Sequence, residues 1–163
     1  MHDLLIAQSR QARDTVAHHA RIRLDTRAPR EFLDITDRVA ALVDAAALHQ
    51  GIVNVQTRHT TTGIIVNEYE PLLIEDLGSL LERFAPASVA YRHDDLSVRW
   101  VNLVPDERHN GHAHGQALVL RASECLNVVE GALDLGRWQR LFFVELDGGQ
   151  PREVSVMLLG VRS

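Results

Sequence analysis

A chain of 163 residues suits one ordinary domain and is short for two. With 45% hydrophobic and 24% charged residues it can pack a core, which argues against global disorder. The 17 basic residues against 22 acidic ones leave a net charge of −5, the wrong sign for a broad nucleic-acid surface. No apolar run approaches the roughly 20 residues of a membrane helix.

The opening MHDLLIAQSRQARD has no long apolar region or cleavage site, so no secretory signal is expected. A single cysteine, Cys125, excludes an internal disulfide and points to a reducing, cytoplasmic setting. Every basic residue is arginine, which removes Schiff-base chemistry, a lysine base and a Walker-type phosphate loop. Nine histidines are then the chemical resource to follow.

In chain order, residues 1–12 read as a loosely held arm, and Ala20–Leu24 alternates with period two, as a half-buried strand does. Thr36, Asp37 and a terminal Gly51 bracket a helix whose inner face is Val39, Leu42, Val43 and Ala46. Strands are expected at Ile52–Thr57 and Ile64–Val66. Glu70 and Pro71 then open a second helix with Leu73, Leu77, Leu80, Leu81 and Phe84 as its stripe, ended by Pro86. A strand at Ser97–Val101, a short helix at Ala113–Leu120, and strands at Val128–Val129, Trp138–Leu146 and Val154–Gly160 complete the pattern. Helices early and strands late, without βαβ alternation, predict a single compact α+β domain over residues 1–163, with a largely antiparallel sheet and a few helices.

Four segments carry chemistry. Arg58–Gly63 sets His59 among hydroxyls at a strand end, which is either a polar pocket floor or a solvated turn. In Tyr91-Arg92-His93-Asp94-Asp95, His93 and one aspartate can approach a metal while the other orients the ring; the plain alternative is a charged loop. His109–His114 contains an H-x-H pair whose rings share a side only in extended backbone and point apart in a helix. Glu145 lies in an apolar strand, where a buried carboxylate needs a partner; the plain alternative is that it faces solvent on an alternating strand. Trp138 reads as core, Gln139 as an amide offered to a ligand, and Cys125 as a small buried filler. The residues alone stop at an α+β domain with a candidate His/carboxylate site.

Ser123–Leu141, with its spaced Ser, aliphatic, Gly and Trp-Gln positions, resembles the signature segment of the YjbQ family, also called the secondary thiamine-phosphate synthase family. His59-Thr60-Thr61-Thr62-Gly63, Asn67-Glu68, Tyr91–Asp95, Asn110–His114 and Glu145–Gly148 match its other motifs in order. Arg137 departs from the usual Ser or Thr before Trp-Gln, and Gln116 from a frequent Lys. The resemblance implies a homotrimer with sites near subunit boundaries and a weak thiamine phosphate synthase activity. That reaction joins an aminopyrimidine methyl pyrophosphate to a thiazole phosphate. On this reading His59, His93 and Glu145 are catalytic, and Asn67, Glu68, Asn110 and Gln139 bind a small phosphorylated substrate. His59, His93 and His114 hold a divalent metal, Zn or Mg, or the pyrophosphate itself; His114 is favoured over His112. No nucleic-acid or membrane partner is expected. Two alternatives are a non-catalytic trimeric metal or small-molecule binding protein and a metal-dependent phosphate-ester hydrolase.

Overall fold

In a computed structural model, residues 14–162 are described. They form two antiparallel sheets and three α-helices. The larger sheet contains β1 (Thr15–Asp25), β3 (Gln50–Thr57), β5 (Ser123–Val129), β6 (Ala132–Leu133) and β8 (Pro151–Val161), in the order β1-β8-β3-β5-β6. The smaller contains β2 (Glu31–Asp34), β4 (Thr62–Glu68) and β7 (Gln139–Glu145), in the order β2-β7-β4. The helices are α1 (Thr36–Ala45), α2 (Pro71–Phe84) and α3 (Gly111–Ala117). No helix among the described residues is long and apolar enough to cross a membrane. The predicted arm at residues 1–12 lies outside the described residues.

The alternation in β1 does what period two requires: Val16, Ile22 and Leu24 turn inward, and β8, paired with it from Thr15↔Val161 to Asp25↔Pro151, adds Val154, Val156 and Leu158. β7 behaves differently. Leu141, Phe142, Phe143 and Val144 are all fully buried because both faces are covered. Leu141 and Phe143 join the large core with Val53, Val55, Val39 and Val43, whereas Phe142 and Val144 pack with Leu81 of α2 and Ala113 of α3.

Several local expectations change. Thr36 is the first residue of α1 rather than its cap; the Asp34 carboxylate accepts from the Thr36 N–H at 2.9 Å and from its hydroxyl at 2.6 Å. The helix ends at Ala45, with Ala47 in the left-handed region at φ 51°, and Gly51 belongs to β3. There the Leu159 carbonyl and Gly160 of β8 occupy the space a Cβ would need. Glu70 does cap α2, its carboxylate accepting from Leu72 and Leu73 N–H groups, but Leu80 and Phe84 of the expected stripe stay exposed. Ser97–Val101 is not a strand: a 3₁₀ turn at Arg92–Asp94 is followed by turns. The short helix is α3, beginning at Gly111, so the three helices interleave with the strands instead of preceding them.

Phe143 has core on its side of β7 and no room for relaxation, so Phe143→Ala is expected to cost about 3–5 kcal/mol in urea denaturation; a cost below ~1 kcal/mol would contradict the two-sided burial of this strand.

Candidate functional site

Asp94 brings the site together. Its Oδ1 accepts from the Asn110 N–H at 3.0 Å and the Gly111 N–H at 2.9 Å, which ties the 3₁₀ turn to the start of α3. Gly111 allows this approach because a Cβ there would overlap the Tyr91 side chain. Behind it, the Tyr91 hydroxyl donates to the Pro86 carbonyl at 3.0 Å. The result sets the His93 and His114 rings edge to face, centroids 4.6 Å apart. His112, on the same helix, points elsewhere, as helical spacing dictates for neighbours two apart. Neither aspartate orients His93: Asp94 holds α3, and Asp95 accepts from the Ser97 N–H and hydroxyl.

The two rings open on a cleft of about 780 Å³ whose walls include Thr60, Arg92, Arg99, Glu107 and Asn110. Arg99 organises one wall. It donates to Glu107 at 2.7 Å and to the carbonyls of His93, Val101 and Asn102, so its charge is already engaged. Arg92 is exposed on the cleft and has no hydrogen-bond or ion-pair partner among the described residues. Asn110 gives its amide N–H to Asp147 at 3.1 Å, and its buried Oδ1 has no partner among the described residues.

A second cleft of about 560 Å³ adjoins the first, sharing Thr60 and His114 and adding His59, Thr62, Ala117, Leu118, Leu120 and Ala122. Here His59 Nε2 accepts the Glu153 N–H at 2.9 Å, which leaves the ring proton on Nδ1. Burial, then the nearby Arg152 charge, holds the His59 imidazole below the usual histidine value. Burial, then the adjacent His93, does the same for His114. Both rings are neutral hydrogen-bonding groups near pH 7.

The remaining candidates go elsewhere. Asn67 and Gln139 line a third cleft of about 590 Å³ with Cys125, which is exposed rather than a buried filler. The Gln139 Oε1 accepts from the Gly136 N–H at 2.8 Å, and the Asn67 Oδ1 from the Glu68 N–H at 2.9 Å; Glu68 itself is exposed at the end of β4. Trp138, expected in the core, is 62% exposed with the Arg137 guanidinium stacked 4.7 Å above its ring.

Glu145, expected to be catalytic alongside His59 and His93, is enclosed, with 0% exposure, and its oxygens are taken. Arg152 grips it with two bonds of 2.6 Å, Thr26 donates its hydroxyl at 3.0 Å, and the N–H groups of Leu146, Asp147 and Gly148 complete the set. Burial pushes this carboxyl up, but the Arg152 and Asp147 hydrogen bonds outweigh it and hold it below the usual carboxylate value. The Arg152 guanidinium also donates to the Thr61 hydroxyl at 3.2 Å, so the pair fixes the strand turn carrying His59 and the loop carrying Asp147. Arg152, Arg92, Arg99 and the clamping role of Asp94 escaped the sequence reading. For Arg152 the one available signal is its place seven residues beyond Glu145, across the turn-rich Asp147–Pro151.

Among the described residues, no three His, Cys, Asp or Glu side chains stand close enough together to hold a metal ion. The His93–His114 pair is one donor short of a catalytic zinc site, and it lacks the carboxylate oxygens that magnesium favours. The donor set that this chain alone provides among the described residues therefore does not fit either metal.

Fold and site define an α+β domain of two antiparallel sheets with a cleft lined by histidine and arginine. The chain belongs to the YjbQ family, matching the description "UPF0047 protein YjbQ-like" over residues 20–161. It is 38% identical over 129 residues to a UPF0047 protein of Archaeoglobus fulgidus, covering 79% of this chain and 91% of that one. To a UPF0047 protein of Methanothermobacter thermautotrophicus it is 35% identical over 130 residues, covering 80% and 83%. Among solved structures, a YbjQ-like protein of unknown function from Sulfolobus solfataricus superimposes with a TM-score of 0.80 at 32% identity, over 90% of this chain and 99% of that one. A YjbQ/UPF0047 protein of Clostridium acetobutylicum gives 0.75 at 31% identity, over 85% and 98%.

Removing one partner of a buried ion pair strands the other charge, so Glu145→Gln is expected to lower stability by about 3–5 kcal/mol near neutral pH. The pH dependence has a definite sign. The unfolded carboxyl takes up its proton near 4.5 and the folded one lower, so this stabilisation is present above 4.5 and drains away as pH falls further. Denaturation curves should therefore show wild type and Glu145→Gln converging in acid. Parallel curves would contradict the assignment.

Proposed function

We propose that this protein is a weak transferase of the thiamine phosphate synthase type, working as a homotrimer in the cytoplasm on a small phosphorylated substrate. The observation that carries the proposal is the cleft in which the His93 and His114 rings meet beside the unpaired Arg92. The reaction breaks the C–O bond between the pyrimidine methylene and pyrophosphate, the electron pair leaving with pyrophosphate. The thiazole nitrogen then gives its lone pair to that carbon, forming the C–N bond and a thiazolium. No protein nucleophile or redox partner is needed, which suits a site without lysine, a reactive serine or a buried thiol.

In this mechanism Arg92 meets the growing negative charge of the leaving pyrophosphate, while imidazole N–H groups of His93 and His114 donate to its oxygens. Asn110, its amide fixed by Asp147, lines the same wall. The clefts are of the volume usual for small-molecule sites. Support for assembly comes from the segment that forms one wall of the cleft, where Leu96, Val98, Trp100, Val101, Leu103 and Val104 are all exposed, Trp100 at 84%, and Val98, Val101 and Val104 line the cleft itself. A threefold contact between unlike patches would cover them.

Arg92→Ala, and separately His93→Ala and His114→Ala, should each lower synthase kcat/KM by about 10²-fold, as loss of one charge-stabilising donor does. Steady-state assays with both phosphorylated substrates make the check. Wild-type turnover in all three variants would overturn the assignment. A wild-type protein that gives no synthase turnover above the uncatalysed rate would favour a binding protein, and release of phosphate from simple esters a hydrolase. Sedimentation equilibrium should give three chains per particle, and a Trp100→Glu variant should shift the mass toward one.

A further inference from the structure

The first cleft is charged, whereas its neighbour is lined by no arginine and no carboxylate, although the two meet at Thr60 and His114. Aliphatic groups of Ala117, Leu118, Leu120 and Ala122 make most of the second cleft, and its polar edge is neutral. Burial keeps the His59 and His114 imidazoles uncharged, and the Glu153 N–H on His59 Nε2 leaves Nδ1–H as that ring's donor. Such a surface offers a phosphate no counter-charge to offset its desolvation and suits a flat uncharged ring. Its volume of about 560 Å³ leaves room for a substituted six-membered heterocycle.

We infer that the second cleft is a subsite for a neutral nitrogen heterocycle, the aminopyrimidine half of a substrate whose pyrophosphate occupies the first cleft. This rests on the transferase reading above and deepens it. A single extended substrate spans both clefts, and the bond that breaks lies at their junction, beside His114 and Thr60. His59 then serves as a ring-binding residue through an imidazole N–H, apart from the charge-stabilising set at Arg92, His93 and His114.

Two probes separate the subsites in calorimetric titrations of the full chain: inorganic pyrophosphate, and an unphosphorylated 4-aminopyrimidine. Leu118→Glu changes a side chain that is 82% exposed, so the fold tolerates it, and it sets a charge on the rim of the apolar cleft. Ala122→Phe fills the same cleft. Each variant is expected to weaken the pyrimidine by about tenfold or more and to leave pyrophosphate within about twofold. Arg92→Ala should do the reverse, and wild type should bind both probes at once. Competition between the probes, no pyrimidine binding at millimolar concentration, or unchanged pyrimidine affinity in both cleft variants would each overturn the inference. Pyrimidine binding that responds to Leu118→Glu, with no pyrophosphate binding anywhere, would uphold the subsite and sink the transferase reading.

Discussion

One carboxylate decides where the histidine cleft of this protein forms. Asp94 closes a long excursion of the chain by accepting two N–H groups at the start of α3, and the His93–His114 contact follows from that closure. The ordering entropy of such a loop is substantial, and local bonds within it share the cost. Arg99 gathers three carbonyls and Glu107, so residues between the 3₁₀ turn and α3 stand as a wall instead of a strand. Gly111 and Tyr91 set how near the two pieces come, because the tyrosine ring fills the space of a missing Cβ.

Charge is distributed with a clear division of labour. Arg152 is 7% exposed and neutralised by Glu145, Arg99 is consumed by its own loop, and Arg92 is the one arginine lining the cleft without a hydrogen-bond or ion-pair partner among the described residues. The buried pair acts at a distance from any ligand. It pins the turn that carries His59 and the loop whose Asp147 fixes the Asn110 amide. Its positive partner also helps keep His59 neutral, which divides the site into a charged half and an uncharged half. An all-arginine composition fits this design, since guanidinium forks can be shared among several acceptors while an ammonium cannot hold a planar bidentate grip.

Elements whose signals are local were legible in the sequence. The alternation of β1, the Glu70-Pro71 start of α2 and the apolar run of β7 each report a periodicity or cap that tertiary contacts reinforce. Ser97–Val101 misled because its apolar residues face outward, where alternation has no core to serve. For the site, motif resemblance located the histidines, and three of them do border one continuous pair of clefts. The placement of Asn67 and Gln139 in a third cleft, and the enclosure of Glu145 by six donors, depend on how β4, β7 and β8 are stacked, which no spacing along the chain encodes. Glu145 was ambiguous for a physical reason: β7 is buried on both faces, so strand parity carries no information about exposure there.

Asp94 imposes the geometry that joins the two imidazoles, and it need not touch a ligand to do so. The most direct measurement compares pyrophosphate affinity in Asp94→Asn, which keeps an oxygen acceptor for the Asn110 and Gly111 N–H groups, with Asp94→Ala, which removes it. Loss of a helix-capping acceptor costs about 1 kcal/mol, so both variants should stay folded. The clamp predicts affinity within about threefold of wild type for the asparagine variant and a loss of about tenfold or more for alanine. Wild-type affinity in Asp94→Ala would show that the two imidazoles meet, or bind, without the carboxylate that this structure places at their hinge.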